Sequence, residues 1–464
     1  MAPTPDAVRE EVRAWLADNW DPDLTVGEWW ARLAGSGYGA PTFPVDDYGR
    51  GYNRALANVV NEEIAKAGAV GPPAGLGYLL AAPTIAAHAT REQKDEWLPR
   101  ILDGRDAWCQ LFSEPGAGSD LAGLQCKAEK DGDEWIITGQ KVWTSTAQTC
   151  NMGMLIARTD PDAPKHAGIT YFGIDMQQPG IEIRPLKEMT GRAMFNEVFL
   201  DGARVPDANM IGGFNNGWAV ANTTLAAERA GLGSGGSGAA GSAFPGPIAN
   251  QLGLRVGDTV GHIRTGGTGG GGGGMAQRLI ELAKENGTID DAVVRQGIAK
   301  LYTLQQIGKF SALRMRGGGA SAAAPNIAKL MMSDMLRLNR EIATQVLGPE
   351  IAIMGKDAAS GGLIQEAVLF SPGPSIYGGT DQVQRNIIGE RALGLPKEPD
   401  PHKGAPFKDV PKNAEFRPLR ALRLLRSPGD ASPSVPRGVG SLRGCSPPLV
   451  PRSGSGLRRV RQCH

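Results

Sequence analysis

Cysteine, histidine and long apolar runs are all scarce in this chain. The five cysteines (Cys109, Cys126, Cys150, Cys445, Cys463) are odd in number, widely spaced and form no C-x-x-C pair. The five histidines do not cluster with them. Together these absences exclude a disulfide framework and a metal centre. Cys109, next to the apolar Leu111, reads as a small buried hydrophobe rather than a redox group. No apolar run approaches the length of a membrane span. The first ten residues lack a basic-then-apolar signal pattern, so a cytoplasmic location is expected. What remains is an ordinary globular composition, 41% hydrophobic, over 464 residues, enough for more than one domain.

Net charge is nearly absent too, at +1, but it is unevenly placed. Residues 401–464 carry thirteen Lys/Arg against three Asp/Glu, leaving 36 against 45 before them. An acidic body with a basic tail ordinarily suggests a nucleic-acid arm. Here the tail from 399 onward repeats Arg, Pro, Ser and Gly fragments without helical or strand period, so a disordered tail without nucleic-acid binding is expected. A second irregular stretch, 231–274, includes six consecutive glycines (269–274). Glycine that dense costs too much entropy to pack, which predicts a flexible insertion. A phosphate loop would need a strand before it and Lys-Ser/Thr after it, and Met275-Ala276-Gln277 follows instead.

Periodicity divides the rest into three parts. Residues 4–105 read as helical: Thr4 and Pro5 make a cap and first turn, and Val8, Val12, Trp15 and Leu16 share one face. Further helices are predicted over 58–67 and 90–102, the latter opening on a solvated turn, Arg91-Glu92-Gln93-Lys94. From 106 to 206 the period shortens. Strand-like runs at 135–137, 152–157, 169–176, 181–185 and 198–200 are bounded by Gly, Pro and Asp, as in an antiparallel β domain. Helical period returns over 207–398, most strongly at 275–286, 291–315, 326–348 and 381–393. The order predicts an α+β fold: helical domain, central antiparallel β domain, C-terminal helical bundle.

Three segments carry chemistry. Ser113-Glu114-Pro115-Gly116-Ala117-Gly118-Ser119-Asp120-Leu121 turns sharply after an apolar run. Its glycines let backbone N–H groups approach a ligand, with a hydroxyl on either side. Alone it would read as a solvated turn. The second segment is Gly139-Gln140-Lys141-Val142-Trp143-Thr144-Ser145. The third is Tyr377-Gly378-Gly379-Thr380-Asp381-Gln382-Val383-Gln384-Arg385-Asn386. In this order and at this separation the three blocks resemble the acyl-CoA dehydrogenase family of flavoproteins, over about residues 6–398.

The resemblance implies FAD as cofactor, an acyl-CoA substrate and an electron-transferring flavoprotein as acceptor. It also implies a homo- or hetero-oligomer built as a dimer of dimers. By the same resemblance Ser113, with backbone of Leu111 and Phe112, addresses the flavin edge, and Trp143, Thr144 and Ser145 face the flavin. Arg295 reaches the FAD pyrophosphate of a neighbouring subunit, where an arginine's planar fork suits phosphate oxygens. Gln345 and Gly348 make a similar cofactor contact, and Thr380 and Gln382 meet the adenosine end. Ser119 and Arg229 contact substrate. Without the resemblance, Trp143 would read as a core strand residue and Arg295 as a solvated helix charge.

The proton-abstracting base departs from the commoner pattern. Many family members carry it as the Glu of Tyr-Glu-Gly-Thr, and here that position is Gly378. A minority place it in a Glu-Arg pair on an earlier helix, matched here by Glu228-Arg229. Trp218, Leu225 and Glu228 fall at i, i+7 and i+10, near one apolar face, where a carboxylate's pKa rises toward a range useful for a general base. The bland alternative, a Glu228–Arg229 surface pair, is weakened because adjacent helical residues do not face each other. The expected activity is α,β-desaturation of an acyl-CoA, with a bulky, branched or steroid-side-chain acyl group admitted by the missing side chain at 378. The alternatives are a catalytically silent partner subunit, a DNA-associated flavoprotein of the same fold, and a flavin oxidase.

Overall fold

The computed structural model describes residues 3–233, 251–259, 273–316 and 323–412. The basic segment from 413 onward, most of the glycine run 269–274, Cys445 and Cys463 lie outside the described residues. Among the described residues no helix is long and apolar enough to cross a membrane, and no group of His, Cys, Asp and Glu could hold a metal.

The N-terminal helices form because each is capped and each has one apolar face. Helix α1 (Pro5–Asn19) starts at Thr4, whose hydroxyl accepts from Ala7 N at 3.2 Å, and buries Val8, Val12 and Leu16. Helix α2 (Val26–Gly35) opens on a reciprocal Thr25/Glu28 capping box. Its Trp29 and Trp30 are buried, their indole N–H groups donating to Val70 O and Gly71 O. Helix α3 (Arg54–Lys66) packs against α1, and α4 (Ala82–His88) continues directly from a π-helical turn, Gly77–Ala81. Helix α5 (Arg91–Leu102) carries a Thr90/Gln93 capping box. Its first turn is exposed at Arg91 and Glu92 as expected, but Gln93 is buried and donates to Ala208 O and Met210 O, tying the helix to the β domain.

Where α1 meets α3, Glu63 is buried among Arg9, Arg13 and Lys66. Hydrogen bonds from Lys66 and Arg13 hold its carboxyl down at about 2, from an ordinary 4.5. A depressed carboxylate stabilises the fold above its unfolded pKa, and that contribution fades as pH falls through the window from 4.5 to about 2. Melting temperatures of the parent and Glu63→Gln should therefore differ most near neutrality and converge in acid. A gap that stayed constant across that window would contradict the assignment.

Eight strands form one sheet, in the order β6-β7-β3-β2-β4-β5-β8, with β1 beside β4. They are β1 (Trp108–Leu111), β2 (Lys127–Asp131), β3 (Glu134–Ser145), β4 (Met152–Arg158), β5 (Ile169–Asp175), β6 (Ile181–Leu186), β7 (Phe195–Pro206) and β8 (Met210–Ile211). The domain is not wholly antiparallel, as periodicity suggested. β1 runs parallel to β4, with Trp108 opposite Met152, and β2 touches β4 in the same sense. Side-chain alternation reports burial and not strand direction, so the difference is invisible in sequence. β1 ends at Leu111, with only Phe112 between it and the Ser113 block, so the sheet sets that block's position.

The C-terminal helices are α6 (Gly217–Gly233), α7 (Gly273–Glu285), α8 (Ala292–Arg316), α9 (Ala324–Leu347), α10 (Leu363–Phe370) and α11 (Asp381–Arg391). Helix α9 is central, packing against α6, α8 and α11.

Two expectations of flexibility need correction. Within 231–274, residues 251–259 lie along the N-terminal domain. Val26 N and Gly27 N donate to Leu254 O and Leu252 O, and Val256 N and Gly257 N donate to Leu24 O and Pro22 O. Val256 is buried in the Trp29 cluster and Leu252 packs on it; two apolar side chains and four backbone bonds offset the entropy that glycine imposes. Similarly, residues 403–412 of the expected disordered tail fold back on the β domain. Phe407 N and Lys408 N donate to Ala163 O and Pro161 O, and Lys408 pairs with Asp162 at 2.5 Å. The Phe407 ring is buried beneath the Arg158 guanidinium, 3.6 Å from the ring centre.

Candidate active site

The chain leaves β1 through the buried Leu111 and Phe112 and turns at Ser113, whose carbonyl accepts from Val142 N at 2.9 Å. That bond joins the first two sequence blocks. Glu114 and Ala117 exchange backbone hydrogen bonds across Pro115 and Gly116. Beneath the turn, Lys141 is fully buried at 0% exposure, donating from Nζ to Glu114 Oε1 at 2.8 Å and to Phe112 O at 3.1 Å. The Glu114 carboxylate also accepts from Gln125 N at 2.7 Å and Cys126 N at 2.9 Å. A buried ion pair whose carboxylate accepts three hydrogen bonds makes this turn rigid. Neither residue was singled out from sequence, although both sit inside the quoted blocks. Gly139 is required here, since a Cβ would come within 2.6 Å of Cys126. Ser119 is exposed beyond the turn, beside an Asp120–Lys165 ion pair.

A register shift between β3 and β7 at Lys141/Thr144 turns Trp143 out of the sheet. Its φ is +61° and it is 63% exposed, with Phe195 edge-on at 6.1 Å. A large aromatic held outward in the left-handed region needs an outside reason. Thr144 next to it is 1% exposed, and its hydroxyl has no hydrogen-bond partner among the described residues. An orphaned buried hydroxyl beside an outward tryptophan suits a planar polar ring such as flavin. Ser145 is half-buried at the strand end.

Glu228 projects from α6, one face of which packs Trp218 and Leu225 onto the core. Its residue is half-buried, and burial raises the carboxyl's pKa above the usual range. Three influences oppose that rise: a hydrogen bond from Gln110 on β1, and the charges of Arg229 and Lys329. The third block meets it here as well. Burial pushes the Tyr377 hydroxyl up to about 12, with the Glu228 charge adding to the effect. After Tyr377 the chain passes through Gly378 and Gly379 at φ +62° and +81°. Gln384 Nε2 clamps that turn by donating to Gly378 O at 2.7 Å, while Asn326 of α9 donates to Gln384 Oε1 at 2.6 Å. The left-handed φ at 379 favours glycine, and a Cβ there would also displace Gln384 Nε2, 2.6 Å away. Thr380 caps α11, accepting from Val383 N.

Glu228 is thus linked to Gln110 by a hydrogen bond and to Tyr377 by its charge, while Ser113, two residues past the end of β1, is joined to β3 next to Trp143 by the Val142 bond. Arg229 is half-buried and electrostatically coupled to Glu228. Arg295, Gln345 and Gln382 are exposed on the C-terminal helices, and Gly348 ends α9 at φ +52°. No hydrogen bond or ion pair joins those four to the Glu228 group among the described residues. Gln110, Lys329 and Tyr377 went unassigned in sequence, because they come from β1, α9 and the loop before α11, far apart along the chain.

Family models match in three consecutive parts: the acyl-CoA dehydrogenase N-terminal domain over 4–105, middle domain over 109–203 and C-terminal domain over 266–393. Among curated relatives, acyl-CoA dehydrogenase IpdE1 of Mycobacterium tuberculosis is 34% identical over 409 residues, covering 84% of this chain and 97% of that protein. Acyl-CoA dehydrogenase FadE34 of the same organism is 38% identical over 372 residues, 79% of this chain, which spans only 46% of that relative's length. Among solved structures, the Tcur3481-Tcur3483 steroid ACAD is 25% identical with a TM-score of 0.63, covering 85% of this chain and 98% of that one. The ChsE4-ChsE5 complex from Mycobacterium tuberculosis is 28% identical with a TM-score of 0.63, covering 86% and 99%.

Proposed function

From the premise that the chain belongs to the acyl-CoA dehydrogenase family, we propose that it desaturates a bulky acyl-CoA at Cα–Cβ, with Glu228 as the base. The family is FAD-dependent. Leu111, Phe112, Ser113, Trp143, Thr144 and Ser145 would hold the flavin, which when bound accepts the hydride from Cβ. Glu228 takes the proton from Cα. Burial makes its carboxylate more basic, and Gln110 fixes which way it points. Trp218 and Leu225 keep that side of the cleft apolar.

The observation that carries this reading is that Glu228, on α6, lies near enough to Tyr377, the residue before Gly378, for its charge to act on that hydroxyl. α6 thus supplies a carboxylate in the neighbourhood of a turn whose own position 378 has no side chain. That same gap leaves room for a branched or ring-bearing acyl group, and likeness to a steroid ACAD supports that substrate class. Ser119 and Arg229 are proposed to contact the CoA thioester portion. Exposed Arg295, Gln345 and Gln382, with Gly348 and Thr380, are proposed to serve FAD at a subunit boundary. Two-component solved relatives support a hetero-oligomer, and an electron-transferring flavoprotein is the proposed acceptor.

The test is anaerobic mixing of the yellow protein with straight, branched and steroid-side-chain acyl-CoAs. Bleaching of the flavin should be fastest with the bulky thioesters, and the extracted flavin should be FAD. Bleaching by straight chains alone overturns the substrate class, and extraction of FMN overturns the cofactor assignment. Activity only after addition of a second, related subunit that supplies the base would favour the silent-partner alternative.

A further inference from the structure

Helix α6 is tied to its neighbours by hydroxyl groups as well as by apolar packing. Thr224 on α6, Thr84 on α4 and Tyr171 on β5 are all 0% exposed. Thr84 Oγ1 donates to Leu80 O at 2.7 Å. Thr224 Oγ1 lies 2.9 Å from Thr84 Oγ1 and 3.2 Å from the Tyr171 hydroxyl. A hydroxyl has one proton to give. Thr84 has given its own to Leu80 O, so Thr224 donates to Thr84; its other acceptor, Val220 O, is 3.5 Å away. Tyr171 in turn donates to Thr224. The result is a one-way chain from Tyr171 through Thr224 and Thr84 to the Leu80 carbonyl, with every proton used. It ends in the π-helical turn Gly77–Ala81, which itself packs on α6. Single π turns recur at functional sites. A second tie lies beside the first: Thr223 Oγ1 is 2.7 Å from His88 Nε2 at the end of α4.

Buried hydroxyl pairs add little stability over apolar groups of the same shape. What they supply is direction, because a hydrogen bond weakens steeply as it bends. Apolar packing holds α6 against the core, and the hydroxyl chain fixes its rotation. Thr224 stands four residues before Glu228, so the two lie one turn apart on the same side of the helix. We propose that Thr224 is a positioning residue: the Tyr171–Thr224–Thr84 chain locks the rotation of α6 so that Glu228 is aimed at Cα of the substrate. The idea rests on Glu228 being the base.

The experiment compares the parent, Thr224→Val, Thr224→Ser, Thr84→Val, Tyr171→Phe and Glu228→Gln as FAD-loaded proteins. Single-turnover flavin reduction is followed with the acyl-CoA that bleaches the parent fastest, carrying hydrogen or deuterium at Cα. Thr224→Val removes the hydroxyl and keeps the shape, so reduction should slow about tenfold to a hundredfold through misplacement of the base. The half-saturating acyl-CoA concentration should barely change. The deuterium effect should grow, because breaking the Cα–H bond then takes a larger share of the barrier. Thr224→Ser keeps the hydroxyl and should behave like the parent. Thr84→Val strands the Thr224 proton and should resemble Thr224→Val, whereas Tyr171→Phe only empties an acceptor and should be the mildest. A parental rate in Thr224→Val overturns the proposal. So does a slower rate with an unchanged isotope effect, which marks general loosening. Greater damage from Tyr171→Phe than from Thr84→Val overturns the chain's direction and the proposal with it. If Thr224→Val does not fold, Thr224→Ala against Thr224→Ser makes the same comparison of hydroxyl absent and present. Full turnover by Glu228→Gln would instead overturn the base assignment, a separate failure.

Discussion

Glu228→Gln is expected to keep flavin and bind acyl-CoA while losing desaturation by about 10²–10⁴-fold, the usual worth of a positioned base. The amide preserves shape and the contact to Gln110 but cannot take a proton. Stability supplies an internal control. Burial raises the Glu228 pKa in the folded protein. A raised carboxyl binds protons more tightly when folded, so it favours the fold only in acid and opposes it as pH climbs through the folded pKa. Glu228→Gln should therefore melt no lower than the parent at neutral or alkaline pH. In the parent, activity should be lost on acidification at a higher pH than an ordinary carboxylate would give. The measurements are single-turnover flavin reduction and melting temperature across pH. Near-parental turnover places the base elsewhere, and a large drop in melting temperature at neutral pH gives Glu228 a structural role instead.

Lys141→Met should be the most damaging single change for the fold of the site. It leaves Glu114 as an uncompensated charge under the Ser113 turn, and breaking one side of such a buried pair costs about 3–5 kcal/mol. Flavin retention should fall with it, because Lys141 also holds Phe112 O. Adding Glu114→Gln to Lys141→Met should recover a substantial part of the loss, since the stranded charge is gone. Chemical denaturation of the four proteins of that cycle measures the coupling. Additive losses would mean the two side chains act independently.

Legibility followed the range of the interactions. Caps and periodicity are local, so Thr4, Thr90 and the long helices α7, α8, α9 and α11 were readable nearly to their ends. Helix α2 was readable in principle through Thr25 and Glu28, but its short apolar face around Trp29 and Trp30 lies between Gly- and Pro-rich turns. Strand positions were visible and the direction of β1 was not, because direction belongs to the pairing with β4. The three blocks revealed the site because each is a contiguous turn. Glu228 was reachable through its place on the α6 apolar face. Lys141 and Lys329 were not: a lysine reads as solvated until its burial is seen, and both are neutralised by residues distant in sequence. The docking of 251–259 and 403–412 was hidden for the opposite reason. Abundant glycine in one and basic, proline-containing sequence in the other outweighed the few apolar side chains, Val256 and Phe407, that anchor them.

The clasp of residues 251–259 across 22–27 means that the N-terminal domain is completed by a strip of chain arriving long after that domain's own sequence has ended. Its Trp29 cluster is closed by Val256 and Leu252, and the backbone donors of Val26 and Gly27 by carbonyls from the same strip. A gene divided at residue 105 would yield a first fragment with an open seam, and a second bearing a loose ribbon with nothing to grip. The first and third parts are laced together and are not beads on a string. Mixing the two fragments should restore what neither holds alone.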